Sequence, residues 1–333
     1  MRRHRTTARG GISLILLLGV TAGGAAASTG TIPGDGGPGR AHKPTTAPRP
    51  SSTQTHVSAS RIVFPVVGKV QYTNDFGAPR YQGSHEGNDI MAPRRALAVA
   101  AEPGKIKFWT HSGAAGCMLY LYGKSGTTYL YIHLNNDLTN RNDNRGKCVA
   151  GTSYAPGLKD GQKVAAGQLI GFVGDSGDAN GVATHLHFEV HPKDGSAVSP
   201  YPFLNRAYRA VFATAPGSKF TLSLVGTVVS ATLTDAYTAT LRMQVKSLRA
   251  WPGGYKVADV SRAINVVVDA DDAIQQIQTG LTTAAATVSL SRLLAAKKGQ
   301  SLTVKTAPAP KKLDAQLGRM PFDASTVVLA AKP

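Results

Sequence analysis

The sequence predicts a mainly β protein built on antiparallel sheets. Apolar residues recur in short alternating runs, which are typical of half-buried strands. The 36 glycines and 19 prolines punctuate these runs, and few stretches repeat at helical spacing. The 333-residue chain is long enough for two domains. We expect an antiparallel-sheet domain over residues 61–205 and a small β-rich domain over residues 216–333.

Residues 1–27 are typical of an export signal. Four arginines precede an apolar run from Ile12 to Val20, and small residues ending at Ala27 predict cleavage there. The run is short for a membrane span, which disfavours the alternative of an uncleaved N-terminal anchor. We therefore expect a secreted or extracytoplasmic protein, in the cell wall or periplasm, without a membrane span in its mature chain.

Residues 28–60 are rich in Gly, Pro, Ser and Thr. This composition cannot bury an apolar core, so we expect a flexible linker. Ordered structure is expected to begin near Arg61.

Residues 61–205 contain several candidate strands. Residues 105–109 alternate, and the β-rich runs Met118–Tyr122 and Thr128–His133 flank the turn 123–126, a hairpin signal. Another short buried strand is expected at residues 169–173. The polar stretch 135–160 is predicted to be a long loop. Loops of this length in a compact domain usually have a function or are held in place by other parts of the chain.

The chain has two cysteines, Cys117 and Cys148. In an oxidising compartment we expect them to form a disulfide that ties down the 135–160 loop. The alternative is two separate buried thiols.

Residues 216–333 predict a small β-barrel or sandwich without His or Cys. A Gly-Gly turn lies between Trp251 and Tyr255, and two short stretches have apolar residues at helical spacing. The first stretch contains Ile274, Ile277 and Leu281, and the second contains Leu290, Leu293 and Leu294. The strand candidates are Phe220–Val225, Thr238–Val245 and Val266–Val268.

Positive charge is concentrated in the C-terminal part. The whole chain has a formal charge of +18, and residues 206–333 carry 16 Lys and Arg against 7 Asp and Glu. In an exported protein this excess favours anionic envelope polymers over nucleic acid as a partner. The alternative is that the charge only maintains solubility.

Two strand-like strings place histidines on strand faces. If the apolar residues of the string 185–190 face a core, His185 and His187 share the opposite face. The same rule places His133 on one face with Tyr129 and Tyr131.

A His-x-x-x-Asp string, His85 to Asp89, stands earlier in the chain. Two imidazoles and a carboxylate from such strings can bind zinc and leave its fourth position open, as in catalytic zinc sites. Alternation alone does not say which of His185 and His187 would bind the metal.

Four motifs, in this order, resemble the M23 peptidases, the LytM and lysostaphin-type zinc endopeptidases. The resemblance covers roughly residues 61–205, and the string Asp75–Gly77 also fits it. The motifs are His85 to Asp89, Tyr131 to Leu134, Gly167 to Gly174 and His185 to Glu189.

This resemblance implies a groove over an antiparallel sheet and a Zn²⁺ ion held by His85, Asp89 and His187. It implies that His133 and His185 are catalytic histidines beside the metal. A zinc-activated water would be the nucleophile. One of the two histidines would accept its proton, and the other would stabilise the oxyanion.

Other residues near the motifs are given no catalytic role. No His-Glu-x-x-His helix is present, so Glu189 is not interpreted as a general base. Tyr131 either orients a histidine or is an ordinary strand tyrosine. His191 is interpreted as incidental, as are the histidines at positions 4, 42, 56 and 111.

The chain departs from the family pattern in two places. Where the family usually has Gly-Thr-Pro, this chain has Arg95, Ala96 and Leu97. This change leaves the metal site alone and is expected to reshape the nearby turn. The 135–160 segment is longer than usual and is expected to form a wall of the groove.

These observations predict a secreted zinc metalloendopeptidase that hydrolyses peptide cross-links of bacterial peptidoglycan. The alternative is a non-catalytic cell-wall-binding regulator of other wall hydrolases. A third hypothesis is that the basic C-terminal domain carries the main function. It would bind the envelope and so raise the local substrate concentration for the peptidase domain.

Overall fold

The structure is a computed structural model that describes residues 61–81, 83–214, 219–277 and 285–331. The expected signal, residues 1–27, and the expected linker, residues 28–60, lie outside the described residues. No helix within the described ranges is both long and apolar enough to cross a bilayer.

The N-terminal part of the described chain is built almost entirely of strands. A 3₁₀ turn at Gly177–Ala179 and helix α1, Tyr201–Arg206, are its helical elements among the described residues. The strands are β1 Pro79–Arg80, β2 Gly83–Ser84, β3 Asn88–Met91, β4 Leu97–Val99, β5 Gly104–Ser112, β6 Gly116–Gly123, β7 Thr127–Leu134, β8 Lys163–Val164, β9 Leu169–Phe172 and β10 His185–Pro192.

Six of these strands form one antiparallel sheet in the order β3-β10-β7-β6-β5-β8. The predicted hairpin at residues 118–133 is β6 and β7, and the expected buried strand at 169–173 is β9, which pairs with β4. One face of the sheet is the core face, where Leu186, Phe188 and Val190 are fully buried. The mainly β, antiparallel prediction for this part is confirmed.

Strand alternation gave a wrong face for His133. Tyr129 and Tyr131 are buried on the core face, where both rings contact Phe188. His133 does not follow them, because its φ is +60° and a β-bulge sets Ile132 and His133 together against Met118. The extra residue moves the imidazole to the opposite face of the sheet.

The loop between β7 and β8 is held at two points. The predicted disulfide between Cys117 and Cys148 is present in the structure. Arg94 donates hydrogen bonds to both carboxylate oxygens of Asp175, at 2.9 and 3.0 Å, and also pairs with Asp137. Both aspartates are fully buried, so this arginine supplies the charge that they need in the interior.

The C-terminal part forms a closed β-barrel. Strand β12 pairs with β11, β11 with β17, β17 with β19, β19 with β14 and β14 again with β12. The β14–β19 and β15–β19 pairs are parallel, while the others are antiparallel. The strands are β11 Lys219–Leu233, β12 Thr238–Trp251, β13 Tyr255–Val257, β14 Arg262–Asp269, β15 Ala273–Ile277, β16 Ala285–Thr287, β17 Ser301–Thr306, β18 Ala309–Pro310 and β19 Phe322–Leu329.

One of the two helices expected in this part is wrong. Ile274 and Ile277 lie in strand β15, which pairs with both β16 and β19. Five of the six residues between Ile274 and Leu281 are polar or glycine, so the spacing was also compatible with a strand. Leu281 itself lies outside the described residues. The second expected helix is α2, Leu290–Leu294, and α3 spans Leu313–Gln316. The turn between Trp251 and Tyr255 is present.

The barrel packs directly on the first sheet domain. The side-chain amide of Gln316 donates a hydrogen bond of 2.9 Å to the carbonyl oxygen of Gly167. The main-chain carbonyl of Gln316 accepts a hydrogen bond from the amide of Val211. Tyr255 contacts the ring of Phe172, with the centroids 5.9 Å apart. The buried apolar residues of the two parts form one continuous cluster.

Replacing both cysteines, Cys117→Ser with Cys148→Ser, should lower the free energy of unfolding by ~3–4 kcal/mol, because the disulfide closes a long loop in the unfolded chain. The measurement is equilibrium urea denaturation of both forms. A reductant should destabilise only the wild type. A loss below ~1 kcal/mol would contradict the constraint inferred for this loop.

Candidate metal centre

Three side chains meet on the outer face of the six-stranded sheet. The Nε2 atom of His85 lies 2.9 Å from Nδ1 of His187 and 3.1 Å from Oδ1 of Asp89. The distance between His187 Nδ1 and Asp89 Oδ1 is also 3.1 Å. The three atoms therefore form a nearly equilateral triangle, and they make up a group that could hold a metal ion.

Strand register brings these side chains together. Asp89 on β3 is the direct cross-strand partner of His187 on β10, which in turn pairs with Ile132 on β7. Directly paired residues point to the same face with their Cβ atoms ~5 Å apart. His85 reaches the same point from the turn that enters β3.

The glycine of the His85–Asp89 string is required by close packing. A Cβ atom on Gly87 would lie 2.7 Å from Nε2 of His187 and 2.7 Å from the carbonyl oxygen of Phe188. The turn can therefore rest on the imidazole of His187 only without a side chain at this position.

Hydrogen bonds on the outer side of each ring orient the ligand atoms. Nδ1 of His85 lies 2.9 Å from the carbonyl oxygen of Asp75, and Nε2 of His187 lies 3.0 Å from Oε1 of Glu189. Both oxygens can only accept, so these nitrogens carry the protons. The remaining nitrogen of each ring is directed at the triangle, in the tautomer that suits a metal ligand.

The electrostatics of the triangle favour a cation. Burial lowers the pKa of His187, but its hydrogen bonds to Asp89 and Glu189 outweigh this effect and raise the pKa to about 9. Burial also raises the pKa of Asp89, whereas the surrounding histidines, His187 first, bring it well below its usual range. His187 therefore carries a second proton at neutral pH when no metal is bound, and a bound cation would take the place of that proton.

The donor set fits zinc. Two imidazole nitrogens and one carboxylate oxygen are the ligand types of catalytic zinc sites, whose bonds of ~2.0–2.1 Å separate tetrahedral ligand atoms by ~3.3 Å. The observed separations of 2.9–3.1 Å need to open only slightly. One side of the triangle faces two further histidines rather than a fourth protein ligand.

His133 and His185 flank the triangle. Nδ1 of His133 lies 2.8 Å from the carbonyl oxygen of Ser176, and Nδ1 of His185 lies 2.9 Å from that of Ala183. The Nδ1 atoms therefore carry the protons, and the Nε2 atoms are free to accept. Burial, followed by the neighbouring His185, lowers the pKa of His133 to about 4, so its ring is neutral at neutral pH.

Comparisons with known proteins agree with this geometry. Residues 83–200 match the family model described as peptidase family M23. The chain carries a domain of peptidase family M23.

Two curated relatives of this M23 domain are named as peptidases. The L-Ala--D-Glu endopeptidase of Bacillus subtilis (strain 168) is 27% identical over 166 residues, which cover 45% of this chain and 44% of that protein. The DD-carboxypeptidase/endopeptidase Mpg of Neisseria meningitidis is 31% identical over 134 residues, 39% of this chain and 26% of that protein. The chain thus spans less than half the length of these curated relatives.

A solved structure similar to this chain is the catalytic domain of the antimicrobial peptidase lysostaphin from Staphylococcus simulans. It is 26% identical, with a TM-score of 0.32, and the match covers 41% of this chain and 92% of that one.

The structure brings all five predicted site residues of the M23 domain into one cluster. His133 and His185 have ring centroids 5.1 Å apart, and those of His133 and His187 are 5.9 Å apart. Tyr131 lies outside this cluster. Its hydroxyl accepts from the amide of Ala101 and donates to the carbonyl oxygen of Val99, so it orients no histidine.

Sequence reasoning missed several polar partners of the M23 site. Arg80 donates a 2.6 Å hydrogen bond to Oδ2 of Asp89, and no motif signals it. His191, taken as incidental, lies 2.7 Å from Oε2 of Glu189, which contacts His187 through its other oxygen. The two-residue spacing of positions 187, 189 and 191 on one strand was the available signal. The histidines at positions 4, 42 and 56 lie outside the described residues.

A methyl group at position 87 should disturb the metal centre, because it has no room beside His187. We expect Gly87→Ala to weaken metal affinity by about 10–100-fold, as loss of ring orientation does in other metal sites. Competition with a chromogenic zinc chelator measures this. The matched control is Gly113→Ala, since a Cβ atom there meets nothing within 4 Å. Equal affinities of the two variants would refute the packing argument.

Proposed function

We propose that this protein is a secreted zinc metalloendopeptidase that hydrolyses peptide cross-links of bacterial peptidoglycan. The proposal rests on one observation above all. Three ligand atoms lie within 3.1 Å of one another, and two further histidines present unprotonated nitrogens to the same side. A structural zinc site would be closed by a fourth protein ligand, whereas this arrangement leaves room for a substrate.

In this proposal His85, Asp89 and His187 hold the zinc ion. When bound, the ion supplies a Lewis acid that polarises the scissile carbonyl and lowers the pKa of a coordinated water toward ~7. The chain contributes the orientation of its ligands through the carbonyl of Asp75 and the carboxylate of Glu189. Arg80 holds the second oxygen of Asp89, so that the first stays directed at the metal position.

His133 and His185 are the proposed catalytic residues. Burial keeps His133 neutral, so its Nε2 can accept a proton from the attacking water and later return it to the leaving amine. His185, held by the carbonyl of Ala183, would stabilise the negative oxygen that develops on the substrate once its Nε2 carries a proton and can donate it. Glu189 is engaged with His187 and His191 and is not assigned as the base.

The substrate proposal is supported by the names of the relatives. The names L-Ala--D-Glu endopeptidase and DD-carboxypeptidase/endopeptidase refer to peptide bonds that involve D-amino acids, and the proposed peptidoglycan cross-links contain such residues. Export through residues 1–27, and attraction of anionic envelope polymers by the basic residues after position 205, complete the proposal. Both rest on the sequence alone.

Loss of a ligand should abolish metal binding. Wild-type protein is expected to bind one zinc ion per chain by atomic absorption after dialysis. His85→Ala and Asp89→Ala should retain less than about a tenth of an equivalent, because two ligands cannot complete the site. Arg242→Ala, which changes an exposed side chain of barrel strand β12, is the control. Full zinc content in the ligand variants would place the metal elsewhere.

Loss of His133 should separate binding from catalysis. His133→Ala should keep one zinc per chain and lose activity by about 10²–10⁴-fold, the usual contribution of a positioned proton acceptor. The measurement is kcat with zinc content determined on the same sample. An unchanged kcat would remove His133 from the mechanism.

Mass spectrometry of muropeptides tests the proposed reaction itself. Residues 28–333 are incubated with isolated peptidoglycan, with and without a chelator. We expect cross-linked dimers to disappear only without the chelator, and the fragment masses to identify the cleaved bond. Dimers that persist at every zinc concentration would instead support the non-catalytic regulator.

A further inference from the structure

A cleft of about 560 Å³ opens beside the M23 site, between the sheet domain and the barrel. This volume is in the range of pockets that bind small ligands or side chains. Residues 91–97 and Ala183 and Thr184 line one side, and Lys256–Asp259 of the barrel line the other. The second wall is formed by a part of the chain that lies outside the family match at residues 83–200.

The cleft adjoins the catalytic histidines through shared residues. Met91, which lines it, is the direct cross-strand partner of His185. Ala183, which also lines it, accepts the hydrogen bond from Nδ1 of His185. A peptide bound across the metal position therefore has the cleft directly to one side.

Arg95 lies in the wall of this cleft with an unusual backbone. Its φ is +61°, in the left-handed region that favours glycine. Its amide donates to the carbonyl oxygen of Val173, so the turn at residues 93–96 is held in place. Non-glycine residues in this strained conformation tend to occur at functional sites.

The charges of the cleft are unbalanced. Lys69, Arg95 and Lys256 line it, and within the described ranges the side chains of these three make no ion pair or hydrogen bond. Asp259 supplies one negative charge on the far wall. Arg94 also lines the cleft, but its charge is matched by two buried aspartates. The net charge of the unmatched groups is +2, among largely apolar neighbours.

We propose that this cleft binds a free carboxylate of the peptide substrate, with Arg95 as the residue that determines this preference. The inference rests on the proposed peptidase function and adds a substrate class to it. The planar guanidinium offers a two-pronged fit to a carboxylate, and the apolar walls accommodate the side chain that carries it. Lys69 and Lys256 add attraction from the rim.

The test compares two forms of one probe. Muropeptide dimers are used as isolated and after chemical amidation of their carboxylates. Wild-type zinc-loaded protein should show a KM about tenfold lower for the unmodified dimers, since a hydrogen bond between charged groups contributes about that factor. Arg95→Asn removes the charge and tolerates the left-handed backbone. It should raise KM for unmodified dimers about tenfold and leave kcat and the amidated dimers unchanged.

Two controls separate the charge of Arg95 from other effects. Arg95→Lys should retain part of the preference, because the positive charge remains. Arg242→Ala removes an exposed arginine of barrel strand β12 that does not line the cleft, and it should leave the preference intact. Equal KM values of the wild type for the two probes, or equal losses for both probes in Arg95→Asn, would overturn the proposal.

A binding experiment tests this inference independently of the proposed peptidase function. Calorimetric titration of the same two probes into zinc-loaded His133→Ala requires no turnover. If the wild type cleaves nothing, a tenfold preference for the unmodified dimers that Arg95→Asn abolishes would still establish the carboxylate site. Cleavage without any such preference would support the proposed peptidase function and contradict the proposed role of the cleft.

Discussion

The metal centre depends on how the outer nitrogens of its histidine rings are occupied. Each imidazole can present a lone pair inward only if its other nitrogen has an acceptor outside. The carbonyl of Asp75 and the carboxylate of Glu189 supply those acceptors for His85 and His187. A hydrogen bond of the same kind, from Nδ1 of His133 to the carbonyl of Ser176, fixes the ring of His133. The site is thus arranged by the surrounding acceptors as much as by the ligands themselves.

This dependence explains why rigid elements surround the centre. Ser176 donates its hydroxyl proton to the carbonyl oxygen of Leu134 and accepts from the amide of Cys117. It therefore connects the bulge that carries His133 to the strand that carries the disulfide. Arg94 joins the same turn to the long loop through Asp175 and Asp137. The disulfide and the buried ion pair act on neighbouring segments of one loop, so both restrict movement next to His133 and His185, the proposed catalytic residues.

Much of this could be predicted from the sequence, where a repeating period or a spaced motif carried the information. The alternation of apolar residues every second position predicted β10 and showed that His185 and His187 share a face. The spaced motifs predicted the extent of the M23-like region. Periodicity failed at His133, because one bulged residue reverses the face of everything beyond it. It failed also at Ile274, which lies with Ile277 in a short strand although their spacing is that of a helix. The hydrogen bond from Arg80 to Asp89 could not be predicted for a different reason. The two residues are nine positions apart, and a contact made by one long side chain produces no repeating pattern in the sequence.

The barrel closes through its last strand. Phe322–Leu329 pairs with β17 on one side and with β14 and β15 on the other. No ring of strands is complete without it, and Gln316, just before it, reaches back to Gly167 in the sheet domain. During synthesis from the N-terminus, the chain would therefore present most of the barrel strands with open edges until Phe322–Leu329 was complete. The interval before that point is when the chain is most exposed to wrong strand pairing and to proteolysis.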